Sequence, residues 1–361
     1  MIYLYGAVCA SMIVFNIVYA VLIRGSEPRL AKRQQRFLRL VSAQTDRLSR
    51  GEPVERRHLD LLQRELRRVR NLAAFEPVLR ALTAEDAPGG RAYLEEIQPT
   101  VLHLSLVYLH RDSEQTAYFS YFLSHYMLHR HLPVHSVQEV LLEYMGKENL
   151  YCRVNALQAL CSFGSPEHVV EGLRIQDRGS VFVHDKILTE TLLGYTGNHE
   201  TLIDPLWKEL HSFSERTQLA VLNYIRFSSG AYRREMLSLL RDASAGKELR
   251  LSAVRYFGRY PYDPALEPLL AFASESDPLR WEYATVSVSS LARYPGERVV
   301  AALKEALHSP NWYIRYAAAS SLEAHNVGYE DVADIVTGSD RYAREMLLYR
   351  LETHTLHRKG G

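Results

Sequence analysis

The chain has 361 residues, enough for one long repeat array or about two ordinary domains, and its 43 basic and 42 acidic side chains nearly cancel. Its three cysteines, Cys9, Cys152 and Cys161, form no spaced metal motif, and one lies in an apolar run. That excludes a disulfide-stapled scaffold and favours a reducing compartment. The near-neutral total hides an asymmetry: the stretch from Arg24 to Arg80 carries net +8 and the remainder net −7.

Residues 1–23 read as a transmembrane helix. Ile2 to Ile23 is a run of 22 residues without a formal charge, about 33 Å as a helix at ~1.5 Å per residue, against a hydrocarbon core of ~30 Å. A cleavable signal would carry its positive charge before the apolar run. Here Arg24, Arg29, Lys32, Arg33, Arg36 and Arg39 follow it, so the expected topology is N-terminus outside and the rest of the chain in the cytoplasm. Within the span, Gly6 and Ala10 are small residues at four-residue spacing and Asn16 is an amide among hydrocarbons. All three favour contact with another membrane helix, although small residues are equally common in lone anchors.

Residues 24–86 form a basic juxtamembrane helical region. Pro28 to Ser49 predicts one helix, whose apolar positions Leu30, Phe37, Leu38, Val41 and Leu48 sit among arginines and glutamines. It is either a stop-transfer flank or a helix lying on anionic lipid. Gly51-Glu52-Pro53 breaks it, and His58 to Thr83 resumes with Leu59, Leu62, Leu66, Val69, Leu72, Val78, Leu79 and Leu82 on the buried side. Ala87-Pro88-Gly89-Gly90 is the best linker, so a second region is expected over residues 91–361.

From Tyr93 to Met145 the helices are rich in aromatics and contain five histidines, His103, His125, His129, His131 and His135. His125 and His129 are i, i+4 on one face, a spacing that metal sites use. The only carboxylates close in sequence are Glu139 and Glu143, beyond Pro133. Satisfied or solvent-facing histidines are the expectation, with an enzyme or metal-binding protein built on the His103 to His135 cluster as the alternative.

From about residue 147 one pattern returns. Its anchor position falls at Arg153, His184, Arg216, Arg250, Ala284, Arg315 and Arg344, at steps of 29 to 34 residues. A small or apolar pair lies three and four positions later: Ala156 and Leu157, Ile187 and Leu188, Leu219 and Ala220, Ala253 and Val254, Ser287 and Val288, Ala318 and Ala319, Leu347 and Leu348. A period of this size signals stacked helical hairpins. Ser165-Pro166, Asp263-Pro264, Ser276-Asp277-Pro278 and Ser309-Pro310 each set a capping side chain before a proline at a helix start. The form seen best as Ile314, Arg315, Ala318 and Leu322 resembles the bacterial HEAT-like repeats, over roughly the last two thirds of the chain. The usual aspartate before the arginine is missing in several units, as at Lys147-Glu148-Asn149 and Gly246-Lys247-Glu248. The resemblance implies an all-α, armadillo-type fold, a right-handed HEAT-like α-solenoid following one N-terminal transmembrane helix.

Catalytic signatures are absent from the sequence. Gly246-Lys247 is followed by Glu248 rather than completing a phosphate loop, and His199-Glu200 lacks a second histidine. No enzyme, no cofactor and no small-molecule substrate is therefore expected. Nucleic acid is not an expected partner either, because the repeat region is net acidic. What remains is a membrane-tethered cytoplasmic scaffold, adaptor or regulatory subunit for a membrane-associated protein. By resemblance to bacterial anchored repeat proteins, that protein would belong to envelope polysaccharide or glycosyltransferase machinery. About ten residues after three successive anchors the chain reads Arg226-Phe227, Arg259-Tyr260-Pro261-Tyr262 and Arg293-Tyr294-Pro295. Stacked turns would align these into a protein-binding ridge of Arg226, Phe227, Arg259, Tyr260, Tyr262, Arg293 and Tyr294, unless the tyrosines pack under their own turns.

Overall fold

The computed structural model describes the backbone of residues 2–82, 89–126 and 135–359, with side chains over most of that range but not for 2–10, 13–26, 135 or 351–359. The described residues are helical, and no strand occurs among them. Two compact units emerge, one of residues 1–183 with 194–205, the other of 184–193 with 206–361.

The first unit opens with α1 (Ile2–Ser49), a continuous helix with Pro28 inside it. The sequence predicted a span ending at Ile23 and a fresh helix at Pro28. Instead the helix passes through, since proline deletes one i→i−4 bond and the flanking residues supply the others. There follow α2 (Arg56–Glu65), α3 (Val69–Leu82), α4 (Gly90–Glu96), α5 (Gln98–Leu109), α6 (Ser113–Tyr126), α7 (His135–Met145), α8 (Leu150–Phe163) and α9 (Pro166–Arg178). Phe37 and Val41 of α1 are buried, and Phe37 meets Phe75 of α3 edge-on, centroids 5.4 Å apart. Protein therefore covers the Phe37 and Val41 side of this helix, while Leu38 stays exposed. Further along, α5 packs on α7, α6 on α8 and α7 on α9. Buried tyrosines tie this array to backbone carbonyls: the Tyr108 hydroxyl donates to Leu66 O at 2.9 Å and that of Tyr144 to Ser105 O at 2.5 Å.

In the second unit the helices are α10 (Asp185–Leu193), α11 (His199–Lys208, divided between the units), α12 (Glu215–Ser228), α13 (Arg233–Arg241), α14 (Lys247–Arg259), α15 (Leu266–Ala273), α16 (Trp281–Leu291), α17 (Glu297–Ala306), α18 (Trp312–Ala324), α19 (Ala333–Val336) and α20 (Arg341–Lys359). The even-numbered helices from α10 to α20 pack each on the next, while α13, α15 and α17 return against their hairpin partners. Six of the seven predicted anchors lie in the first turn of a helix, and His184 directly precedes α10. Ala156, Leu157, Leu188, Ala220, Ala253, Val254, Ser287, Val288, Ala318, Ala319 and Leu347 are buried, whereas Leu219 and Leu348 are half-buried and Ile187 is exposed. The small residues serve close approach: Ser290 Oγ donates to Val254 O at 3.1 Å and Ser321 Oγ to Val288 O at 2.9 Å, each joining neighbouring helices.

The anchor arginines act on backbone. Arg315 donates to Ser309 O at 2.8 Å, Arg344 to Gly338 O at 2.8 Å and Arg153 Nε to Lys147 O at 2.7 Å, each reaching back six residues. They satisfy carbonyls left over in the turn before the helix. One start is corrected: α18 begins at Trp312, not Pro310, because Asn311 is the cap, its side chain accepting from Tyr313 N at 2.9 Å. The stretch from Ser339 to Leu356 holds one helix, α20, and the short α19 precedes it.

Among the described residues no helix is long and apolar enough to cross a membrane. The expected span falls on residues 2–23, whose side chains, including those of Gly6, Ala10 and Asn16, lie outside the described ones apart from Ser11 and Met12.

Candidate functional site

The expected ridge divides into two kinds of residue. Tyr294 is 2% exposed, and its hydroxyl accepts the Tyr262 N–H at 3.1 Å; burial pushes its pKa upward. Tyr262 is half-buried, stacked near Phe257 with centroids 6.3 Å apart. Tyr260 leans on Tyr256 at 5.0 Å and covers Gly230, where an added Cβ would come within 2.7 Å of the ring. Tyr294 and Tyr260 thus pack on the turn of the preceding hairpin, and the burial of Tyr294 removes it from the docking ridge.

The arginines behave differently. Arg226, Arg255, Arg259 and Arg293 line a cleft of about 370 Å³ together with Phe227 and Gly258. The guanidinium of Arg226 lies 4.5 Å from the Phe227 centroid and that of Arg259 5.5 Å from it. Phe227 is itself 43% exposed. Helix packing makes the convergence possible: Gly258 lets α14 sit so close to α16 that a Cβ there would fall 2.7 Å from Ser290 Oγ and 3.2 Å from its Cα. Arg255, a turn inside α14, was not among the expected ridge residues. Its i−4 relation to Arg259 is the signal that would have found it.

A second surface was not foreseen. Trp312, Tyr313, Tyr316, Tyr342 and Tyr349 are all exposed. Trp312 stacks on Tyr316 at 5.1 Å, Trp281 on Tyr313 at 5.3 Å, and guanidinium groups cover two of the rings, Arg350 over Tyr316 and Arg315 over Tyr342. A cleft of about 520 Å³ opens between α18 and α20 within this group. The signal lay in the sequence, because Trp312, Tyr313 and Tyr316 fall off the Ala317, Ala318 and Leu322 stripe and so face away from the core.

Among the described residues the histidine alternative finds no site. His125 Nδ1 lies 3.0 Å from Tyr121 O and 2.8 Å from Ser124 Oγ, while His129 lies outside the described residues. His103 Nε2 is 2.9 Å from Arg67, a cation where a metal would need an anion. Among the described residues no group of three or more histidine, cysteine or acidic side chains could hold a metal ion. The cleft of about 600 Å³ beside Lys304 and His308 is closed electrostatically on itself: Lys304 meets Asp334 at 2.7 Å and His308 meets Asp340 at 2.8 Å.

No curated protein matches the chain. The family model for HEAT repeats matches residues 234–323, from α13 to the end of α18. This is the segment in which α14, α16 and α18 stack in register, and over it the chain is a HEAT-like helical repeat protein.

Proposed function

We propose that this protein is a membrane-tethered adaptor or regulatory subunit whose repeats hold a membrane-associated protein partner on the aromatic face of α18 and α20. The observation that carries this reading is the exposure of Trp312, Tyr313, Tyr316, Tyr342 and Tyr349 together. Tryptophan, tyrosine and arginine are the residue types that dominate binding hot spots, and aromatic side chains offer large contact area with only two torsions to order. The occupant is a protein segment that brings its own apolar anchors to the rings.

The tether is residues 1–23, with the N-terminus outside and the repeats in the cytoplasm. A short linkage to the bilayer raises the effective concentration of the repeats near a membrane partner to the millimolar range. Resemblance to bacterial anchored repeat proteins makes envelope polysaccharide or glycosyltransferase machinery the favoured customer. The reading is non-enzymatic, in keeping with the missing catalytic signatures. Full-length wild type and a Trp312→Ala/Tyr316→Ala variant would be isolated from native membranes and their co-purifying proteins identified by mass spectrometry. A partner retained by wild type and lost from an equally stable variant is expected. Identical sets of co-purifying proteins would remove the aromatic face from the reading.

A further inference from the structure

We infer that the cleft formed by the ends of α12 and α14 and the turn after α16 is a binding site for a diphosphate-type oxyanion, held by Arg226, Arg255, Arg259 and Arg293. It is independent of the aromatic face and of the docking reading attached to it.

Four guanidinium groups share one cleft of about 370 Å³. Among the described residues the one carboxylate paired with any of them is that of Glu248, 4.0 Å from Arg255, and Lys247 competes for it at 3.8 Å. Like charges this close repel in a partly desolvated site. Arg226 shows it: burial, then Arg255 and Arg259, push its pKa down, and its buried Nε has no hydrogen-bond partner. A cation at a helix C-terminus is ordinarily favourable, which accounts for Arg226 and Arg259 singly. It does not account for Arg255 one turn inside α14, nor for all four arginines lining a single cleft.

An anion relieves the repulsion, and the number of cations selects its type. A lone carboxylate brings one charge and occupies one arginine fork. A phosphoryl group carries about −1.5 to −2 at neutral pH with three acceptor oxygens, and two joined phosphoryl groups present enough oxygens to engage several forks at once. Arginine suits this geometry because its planar donors pair bidentately with phosphate and are never deprotonated. Phe227, flanked by Arg226 and Arg259, leaves an exposed ring edge against which the organic part of such a ligand can rest.

Titration calorimetry on the full chain in non-ionic detergent at low ionic strength tests the assignment, with inorganic pyrophosphate as probe and acetate as comparison. Saturable one-to-one binding of pyrophosphate is expected. It should weaken by about tenfold or more in Arg259→Gln/Arg293→Gln, and persist in Arg341→Gln, which matches the single charge loss of Arg293→Gln at a site elsewhere on the surface. Arg293→Gln alone, at an exposed side chain, gives the same direction if the double variant does not fold. Absence of saturable binding, or equal weakening in Arg341→Gln, would overturn the site. A second arm uses phosphatidylglycerol vesicles, whose phosphates are single: arginine-dependent binding to these without binding of pyrophosphate replaces the diphosphate site with general attraction to an anionic surface.

Discussion

The hydroxyl of Tyr294 accepts the backbone N–H of Tyr262 at 3.1 Å, and one repeat earlier the hydroxyl of Tyr256 does the same for Tyr232 N at 3.1 Å. Each ring thus fixes the turn of the preceding hairpin from inside the stack. Tyr294→Phe leaves a part-buried N–H without its acceptor and should cost about 1 kcal/mol or more. Arg293→Gln, at the exposed neighbouring side chain, should move stability by no more than about 0.5 kcal/mol. Urea unfolding of both variants checks the contrast; equal effects would mean that the turn is not held by the phenol.

Leu291 and Leu322 are fully buried. Truncating either to alanine should destabilise by about 2 to 5 kcal/mol, the transfer of lost methyls plus the cavity they leave. Ala318 lies at 0% exposure in the stripe between helices, so Ala318→Leu should also destabilise, by about 1 to 3 kcal/mol through overpacking. Thermal unfolding midpoints that stay unchanged would show the repeat register to be misplaced.

Gly258 tests the packing beneath the arginine cleft. In an exposed helix, glycine to alanine stabilises by about 1 kcal/mol. Here the new Cβ would meet Ser290 Oγ at 2.7 Å and backbone Cα at 3.2 Å. Gly258→Ala should therefore be destabilising, and a gain in stability would show that α14 and α16 are not in such close contact.

His58 is buried, its Nε2 2.8 Å from the Tyr93 hydroxyl. Burial lowers its pKa from the ordinary 6.5, more than the nearby Glu55 raises it. The folded chain then binds fewer protons than the unfolded chain below 6.5, so the stability due to neutral His58 is present above that pH and lost as the pH falls beneath it. The midpoint of unfolding should drop between about pH 7.5 and about pH 5.5, and drop less in His58→Leu. An equal drop in both would place the titration elsewhere.

The tether can be tested by topology. Six cations occupy residues 24–39 directly after the apolar run, and cations so placed oppose translocation. A reporter fused after Gly361 should score as cytoplasmic, and reporter activity outside the cell would refute the proposed orientation.

The all-α fold and the repeat period were legible in the sequence because both are local. Small residues three and four positions after an anchor share one helix face wherever the helix lies, and the pairs at Ala156, Ala253 and Ala318 are buried as that spacing requires. The role of the anchor was not legible. Arg315 reaches Ser309 O because the turn before α18 folds back over the helix, and the path of a turn is set by what packs on it. The same holds for the surfaces. One-dimensional spacing placed Arg226, Arg259 and Arg293 on a common edge, yet it treated Tyr294 and Phe227 alike, one buried at 2% and the other exposed at 43%. Only the stacked neighbours decide that difference, since burial depends on how close adjacent helices come. At the arginine cleft, that distance is set by a missing side chain at Gly258.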